Sequence, residues 1–313
     1  MGDLTYDDVK RAADRLAGRT RPVTVVEGDD GVWLALEHMQ HTGSFKARGA
    51  YNFLAAHREA GTLPEAGVTI ASGGNAGLAC AWAARLQGVR ATVFLPENAP
   101  HVKVAKLRGY GADVRLVGAE YAEALAACEE FAATTGALAS HAYDHPLIAA
   151  GAGTLVDEIR ERVPGLDTVV VAVGGGGLFS GVATAARHHG VRTVAVEPEG
   201  CRTLNAALEA GRVVDVPVDS VAADALGARR ASRTALAIAR DADVRSVLVP
   251  DTAILRARQA LWDDRRLAVE HAAATALAAL AGGADAGYAP AEGERVAVVV
   301  CGANTDPSDL VRR

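Results

Sequence analysis

Short runs rich in valine and isoleucine recur along this chain and alternate with long stretches rich in alanine and leucine. VTIA at 68–71, ATVFL at 91–95, DTVVVAV at 167–173, RTVAVEP at 192–198 and VAVVV at 296–300 are apolar at most positions rather than at every second one. A strand with one wet face alternates; a strand covered on both faces does not, and helices between successive strands supply that cover. The pattern predicts an α/β fold of mostly parallel strands flanked by helices.

The order of these units predicts two lobes. Around VTIA the chain gives a turn SGGN, a helix over AGLACAWAARLQ, strand ATVFL, a helix from Pro100, strand DVRLV and a helix over 119–135. A long helix then begins at His145 and leads into DTVVVAV, a glycine turn, a helix to His189 and further strand and helix pairs. The first residues carry a strand of their own, VWLALE, which is assigned to the second set. The expected organisation is a large cofactor-binding domain of 1–65 and 145–313 with a small inserted domain, 66–144; the tract at 279–293 reads as a loop. With 313 residues, half of them hydrophobic, the chain is long enough for both cores.

Net charge is −6, both signs are interspersed, and no basic patch is interleaved with aromatics, so nucleic acid is not expected as a partner. No apolar run reaches the roughly 18 residues of a membrane span, and the N-terminus MGDLTYDDVKRAADRL has no apolar signal core. No membrane is therefore expected, and the expected location is the cytoplasm. Cys80, Cys128, Cys201 and Cys301 lie far apart without a CxxC pair, which reads as separate thiols rather than a disulfide framework or structural zinc.

Three segments carry chemistry. In TGSFKARGA, at 42–50, Ser44 stands where an N-cap would open a helix and aim Lys46 from its first turn into a cleft, with Phe45 beside the ligand. A lysine among Gly43, Ser44, Phe45 and Gly49 is screened from water, and desolvation makes an amine titrate low. Gly174, Gly175, Gly176 and Gly177 follow a buried strand and precede a helix, so their N–H groups converge at the positive end of a helix dipole. Their spacing matches neither GxGxxG nor GxxxxGK[ST], which leaves a monophosphate rather than a dinucleotide or nucleoside triphosphate. Ser72, Gly73, Gly74 and Asn75 occupy the same strand-to-helix position, where free N–H groups and a hydroxyl grip a carboxylate. Plain structural readings exist for each: a snorkelling lysine, a ligand-free tight turn and ordinary capping. Taken together with VAVVVCGAN, which ends an apolar run in Cys301, the lysine and the phosphate seat describe a site for pyridoxal phosphate.

TGSFKARGA, SGGN, VGGGGL and CGAN, in this order and over nearly the whole chain, resemble the serine/threonine dehydratase family of fold type II pyridoxal-phosphate enzymes. The resemblance implies the two-lobed fold type II architecture, a small amino-acid substrate and a homodimer. It implies that Lys46 forms the Schiff base with pyridoxal 5'-phosphate, that Gly174 to Gly177 with Leu178 hold the phosphate, that Asn75 bonds the ring hydroxyl and that Cys301 faces the pyridine nitrogen. Ser72, Gly73, Gly74, Asn75 and Ala76 would line the substrate carboxylate. The implied reaction is β-elimination from L-threonine or L-serine to a 2-oxo acid and ammonia, with Lys46 removing the Cα proton and the cofactor phosphate as the family's usual acid. A thiol cannot favour a protonated pyridine nitrogen as an aspartate does, so Cys301 implies a milder electron sink that favours elimination over transamination. Hydroxyaspartate, phenylserine or a hydroxyectoine-derived substrate remain open, as do β-replacement and an inert binder of the cofactor.

Several positions depart from the family pattern. Ala76 stands where relatives commonly carry histidine, and Gly73 where racemases of this fold place a second acid/base serine, which disfavours racemisation. Ala225 replaces a usual glycine and His271 a usual proline. Glu197 falls where some relatives bind a cation, but Cys201 and Thr203 replace expected ligands, so no metal is assigned. His141 and His145 in HAYDH read as hinge residues between the lobes rather than metal ligands. The sequence runs only a few residues past CGANTD, so feedback by isoleucine through an appended domain is not expected.

Overall fold

The structure is a computed structural model that describes residues 4–28, 31–280 and 287–311. Among these residues the chain forms ten strands: β1 (Val25–Glu27), β2 (Val32–Ala35), β3 (Val68–Ala71), β4 (Ala91–Leu95), β5 (Asp113–Leu116), β6 (Leu138–Ala139), β7 (Thr168–Ala172), β8 (Arg192–Pro198), β9 (Val244–Val249) and β10 (Val296–Val299). They build a six-stranded sheet in the order β1-β2-β10-β7-β8-β9 and a four-stranded sheet in the order β5-β4-β3-β6. Every pairing is parallel except β1 with β2.

The α-helices are α1 (Tyr6–Leu16), α2 (Lys46–Glu59), α3 (Asn75–Leu86), α4 (His101–Gly109), α5 (Tyr121–Thr135), α6 (Pro146–Arg162), α7 (Gly177–His188), α8 (Thr203–Ala210), α9 (Ala223–Leu226), α10 (Arg233–Asp241), α11 (Asp251–Arg265) and α12 (His271–Ala278). Strands β3, β4, β7 and β10 are buried at every residue, which is why they read as apolar runs with no more than one threonine each. The edge strand β5 instead turns Asp113 and Arg115 outward, charges that blunt an unpaired edge. Of the tract expected as a loop, 281–286 lie outside the described residues, and 287–293 carry neither helix nor strand. We propose 66–144, which holds all four strands of the smaller sheet, as the inserted domain. Helix α2 touches both sides of that division, since Ala47, Ala50, Phe53 and Leu54 share a core with the smaller sheet.

Glycines bring three helices together backbone to backbone. A Cβ on Gly49 of α2 would lie 2.6 Å from the carbonyl oxygen of Ile148 on α6, and one on Gly151 of α6 would lie 2.7 Å from the carbonyl oxygen of Arg48. On the other side of α6, a Cβ on Gly181 of α7 would lie 2.0 Å from the carbonyl oxygen of Ala149, and one on Gly153 would lie 2.7 Å from that of Gly181. No side chain fits at these crossings, so the axes approach closely and resist sliding. A fully buried Arg48 locks the same stack. Its guanidinium donates to Glu37 at 2.6 and 3.1 Å, to Glu158 at 2.5 and 2.9 Å and to Thr154 at 3.0 Å. Removing one partner of such a network would strand an unpaired buried charge. Helix α2 begins at Lys46 and α7 begins at the glycine turn, so the stack sets the distance between the two.

Gly181→Ala is expected to lower stability by about 3 kcal/mol, because the new methyl has only backbone to displace. Gly190→Ala, at φ +68° with nothing within 4 Å, is expected to lose only about 1 kcal/mol from backbone strain. Urea denaturation of both variants measures the difference.

Candidate active site

Lys46 is positioned by the strand end that follows β10. The backbone N–H of Phe45 donates to the carbonyl of Cys301 at 3.0 Å, that of Ala303 donates to Gly43 at 2.9 Å, and Ser44 bridges Gly302. Thr42 at φ 64° and Gly43 at φ 74° turn the chain just before this bridge and α2, a conformation that few β-branched residues adopt. The side-chain amide of Asn304 donates to the Thr42 carbonyl at 2.6 Å and holds the turn. Lys46 is thereby brought near Cys301. The expectation that Ser44 caps the helix is corrected: Phe45 occupies that position without a side-chain bond, and the Ser44 hydroxyl is buried with no partner. Pairing with Gly302 holds Ser44 extended, at φ −161° and ψ 159°.

The ε-amine of Lys46 donates to the carbonyl of Ala142 at 3.0 Å and lies 4.8 Å from the centre of the Phe45 ring. Its pKa is lowered to about 8, chiefly by burial, with Cys301 and Glu270 acting in the opposite direction. Cys301 is pushed up to about 12, again by burial first, so its thiol is neutral near pH 7.

The glycine turn lies on the far side of the segment that receives Lys46. Gly176, at φ 99°, precedes α7 without any side-chain cap, which leaves the first helical N–H groups directed at whatever occupies the turn. Leu178 contributes only backbone there, since its side chain joins the main core. A Cβ on Gly175 would lie 2.3 Å from the Tyr143 ring, one on Gly177 2.8 Å from the Tyr143 carbonyl oxygen, and one on Gly176 2.5 Å from Ala235. Gly174 is approached by Leu226 and Ala225, and its carbonyl accepts from the Thr203 hydroxyl. The segment 141–143 thus spans from Lys46 to the glycine turn.

The SGGN loop leads into α3. Gly74 precedes it without a side-chain cap, and Ala76 is buried. Asn75 donates to both carboxylate oxygens of Glu270 at 3.0 Å and accepts from the Asn304 amide at 2.8 Å. Glu270 also accepts from the Asn304 backbone at 2.7 Å, and burial raises its pKa against these donors. A Cβ on Gly73 would lie 2.4 Å from Cδ2 of Leu95, so the residue that follows Ser72 has no room for a side chain in the present packing. Across the cleft, Lys103 on α4 pairs with Asp224 on α9 at 2.9 Å, an exposed pair of small energetic weight.

Glu270, Asn304 and Tyr143 were not singled out from the sequence. Glu270 stands beside His271, which was, but only the fold shows that its carboxylate reaches Asn75. Glu197 accepts from the backbone N–H groups of Leu204 and Asn205, both at 2.8 Å, and so caps α8; burial raises its pKa to about 7. His145 caps α6 by accepting from Leu147 at 3.1 Å. Among the described residues no three histidine, cysteine or acidic side chains gather to hold a metal ion. No helix among them is long and apolar enough to cross a membrane.

The residues present fit pyridoxal phosphate. A low-pKa amine suits an aldehyde, an uncapped glycine turn suits a phosphate, and a neutral thiol suits an uncharged ring nitrogen.

Comparison with known proteins agrees. The family model described as pyridoxal-phosphate dependent enzyme matches residues 18–302. The chain is 38% identical over 287 residues to an L-threonine ammonia-lyase of Geobacter sulfurreducens, covering 88% of this chain and 71% of that one. It is 39% identical over 293 residues to a serine dehydratase-like protein of Rattus norvegicus, covering 90% and 87%. Among solved structures, maize serine racemase superposes with a TM-score of 0.90 at 29% identity, covering 97% of this chain and 95% of that one.

In the cofactor-free protein, the rate at which an amine-specific acylating reagent modifies Lys46 is expected to rise with pH through a midpoint near 8, because only the free amine reacts. Surface lysines serve as the internal reference, with midpoints near the ordinary value of about 10.4. Peptide mapping by mass spectrometry across a pH series reads both.

Proposed function

Since the chain belongs to the family of pyridoxal-phosphate-dependent enzymes, we propose that it catalyses β-elimination from a β-hydroxy L-amino acid, L-threonine or L-serine first, releasing a 2-oxo acid and ammonia. Bound in the site, the cofactor supplies an electron sink conjugated to the substrate Cα. Lys46 would hold it and, once released, would serve as the base that takes the Cα proton; an amine with a pKa of about 8 is free in about a tenth of molecules at pH 7, far more than an ordinary lysine. Gly174 to Gly177 and the Leu178 backbone seat the phosphate, and Phe45 packs beside the ring. Ser72, Gly73, Gly74 and Asn75, backed by buried Ala76, take the substrate carboxylate, with Asn75 held in orientation by Glu270 and Asn304. Cys301 would face the ring nitrogen as a neutral thiol. The same reading takes the protein as a cytoplasmic homodimer.

One observation carries the choice of elimination over racemisation. A racemase needs a proton donor on each face of Cα, and the position after Ser72 is a glycine whose Cβ would meet Leu95 at 2.4 Å. That leaves Lys46 as the base and no side chain at the position after Ser72 to face it. Other β-hydroxy amino acids, such as phenylserine or hydroxyaspartate, and β-replacement stand as alternatives within the same chemistry.

A panel of β-hydroxy amino acids scored for 2-oxo acid, ammonia and D-isomer tests the reading. Wild-type enzyme is expected to form 2-oxo acid and ammonia in equal amounts with no D-isomer, and Lys46→Ala to lose about 10⁴-fold in kcat. Normal turnover by Lys46→Ala, or a D-amino acid as the main product, overturns it.

A further inference from the structure

His141 is not used by the mechanism above, yet its surroundings define its chemistry closely. Nδ1 accepts two backbone N–H groups, from Asp144 at 2.9 Å and from Tyr143 at 3.2 Å. Nitrogen that accepts in this way carries no proton, so the ring proton sits on Nε2 and the neutral ring is a donor there. Nε2 has no hydrogen-bond partner among the described residues, and the ring keeps access to solvent. The Tyr143 ring meets it edge-on at 4.8 Å and fixes its plane. The residues on either side locate it: the Ala142 carbonyl receives the Lys46 amine, and Tyr143 covers Gly175 and Gly177. Its pKa is lowered, first by desolvation, with Asp144 raising it and Lys46 lowering it further.

We propose that His141 contacts the substrate, donating a hydrogen bond from Nε2–H to the β-hydroxyl oxygen. The assignment rests on the β-elimination reading. The carboxylate end of the substrate belongs to the SGGN loop, whose Asn75 turns toward Glu270 and Asn304. The segment 141–143 lies between Lys46 and the phosphate seat instead, which leaves the β-substituent as the polar group it meets. In the step, the Cα–H proton passes to Lys46 and its electron pair forms the Cα=Cβ bond. The Cβ–O pair departs with the hydroxyl, which leaves as water with that proton. The imidazole keeps its own proton and only stabilises the negative charge that builds on oxygen.

Two substitutions separate this role from turn capping. In His141→Asn the side-chain oxygen replaces Nδ1 and keeps the turn, but the Nε2 donor is lost; in His141→Gln the amide nitrogen replaces Nε2 and the turn cap is lost. Each is assayed with L-serine, or the best β-hydroxy substrate of the wild type, and with β-chloro-L-alanine, whose chloride departs without a donor. His141→Asn is expected to lower kcat/KM for the hydroxy substrate by about 100-fold and for the chloro substrate by less than about 3-fold, and His141→Gln to retain most activity on both. Cofactor affinity, followed by tryptophan fluorescence, is expected to be unchanged in both variants. Equal losses on the two substrates, or a loss in His141→Gln with none in His141→Asn, overturn the assignment. Wild-type turnover with an indifferent His141→Asn refutes this proposal alone. A wild type that releases 2-oxo acid from neither substrate refutes the elimination reading as well.

Discussion

The backbone contact of α2, α6 and α7 is the constraint on which the site depends. Lys46 opens α2 and the glycine turn opens α7, and nothing in the local sequence of either fixes the distance between them. The intervening helix does so, because at Gly49, Gly151, Gly153 and Gly181 main chain meets main chain and no side chain is present to adjust. A site built on helix ends held this way is more precise than one built on loops. Arg48 adds a second restraint of a different kind. Two residues beyond Lys46, it binds carboxylates from both Glu37 and Glu158, so a shift of α2 along α6 would break charged hydrogen bonds as well as packing.

Burial then sets the protonation states. Lys46, Cys301 and Glu270 lie close enough to influence one another, and for each the largest influence is loss of water. Desolvation disfavours the charged form of each: it frees the amine, keeps the thiol protonated and raises the carboxyl. Hydrogen bonds from Asn75 and Asn304 offset part of that effect on Glu270. The site thus acquires a usable base beside a neutral thiol without a strong counter-ion at either.

Legibility followed the range of the interactions. The strands could be read because burial on both faces leaves at most one threonine among the apolar residues of each of β3, β4, β7 and β10. The glycine turn and the lysine could be read because their chemistry is written within a few residues. Ser44 was misread as a cap because its local context looks like one, while its real partner, Gly302, lies far along the chain. Glu270, Asn304 and Tyr143 were missed for the same reason: an acid, an amide and an aromatic ring carry no signal until the fold sets them against Asn75, Thr42 and Gly175. His141 was noticed but weighed only as a hinge residue or a metal ligand. Its two backbone donors, which determine where its proton sits, appear only with the turn itself.

The Asn75 network ties these threads together. The SGGN loop lies between β3 and α3 beside the smaller sheet, whereas Glu270 precedes α12 and Asn304 follows β10, so the loop is held by groups outside its own sheet. Asn304 bonds at the same time to Thr42, in the turn that delivers Lys46. One side chain therefore registers the loop and the lysine against each other. Relative movement of the two sheets would strain the Asn75 contacts and the 141–145 segment. That segment receives the lysine amine at one end and caps α6 through His145 at the other. A segment so anchored ties the Lys46 amine, the cover of the glycine turn and the start of α6 into one continuous stretch of chain.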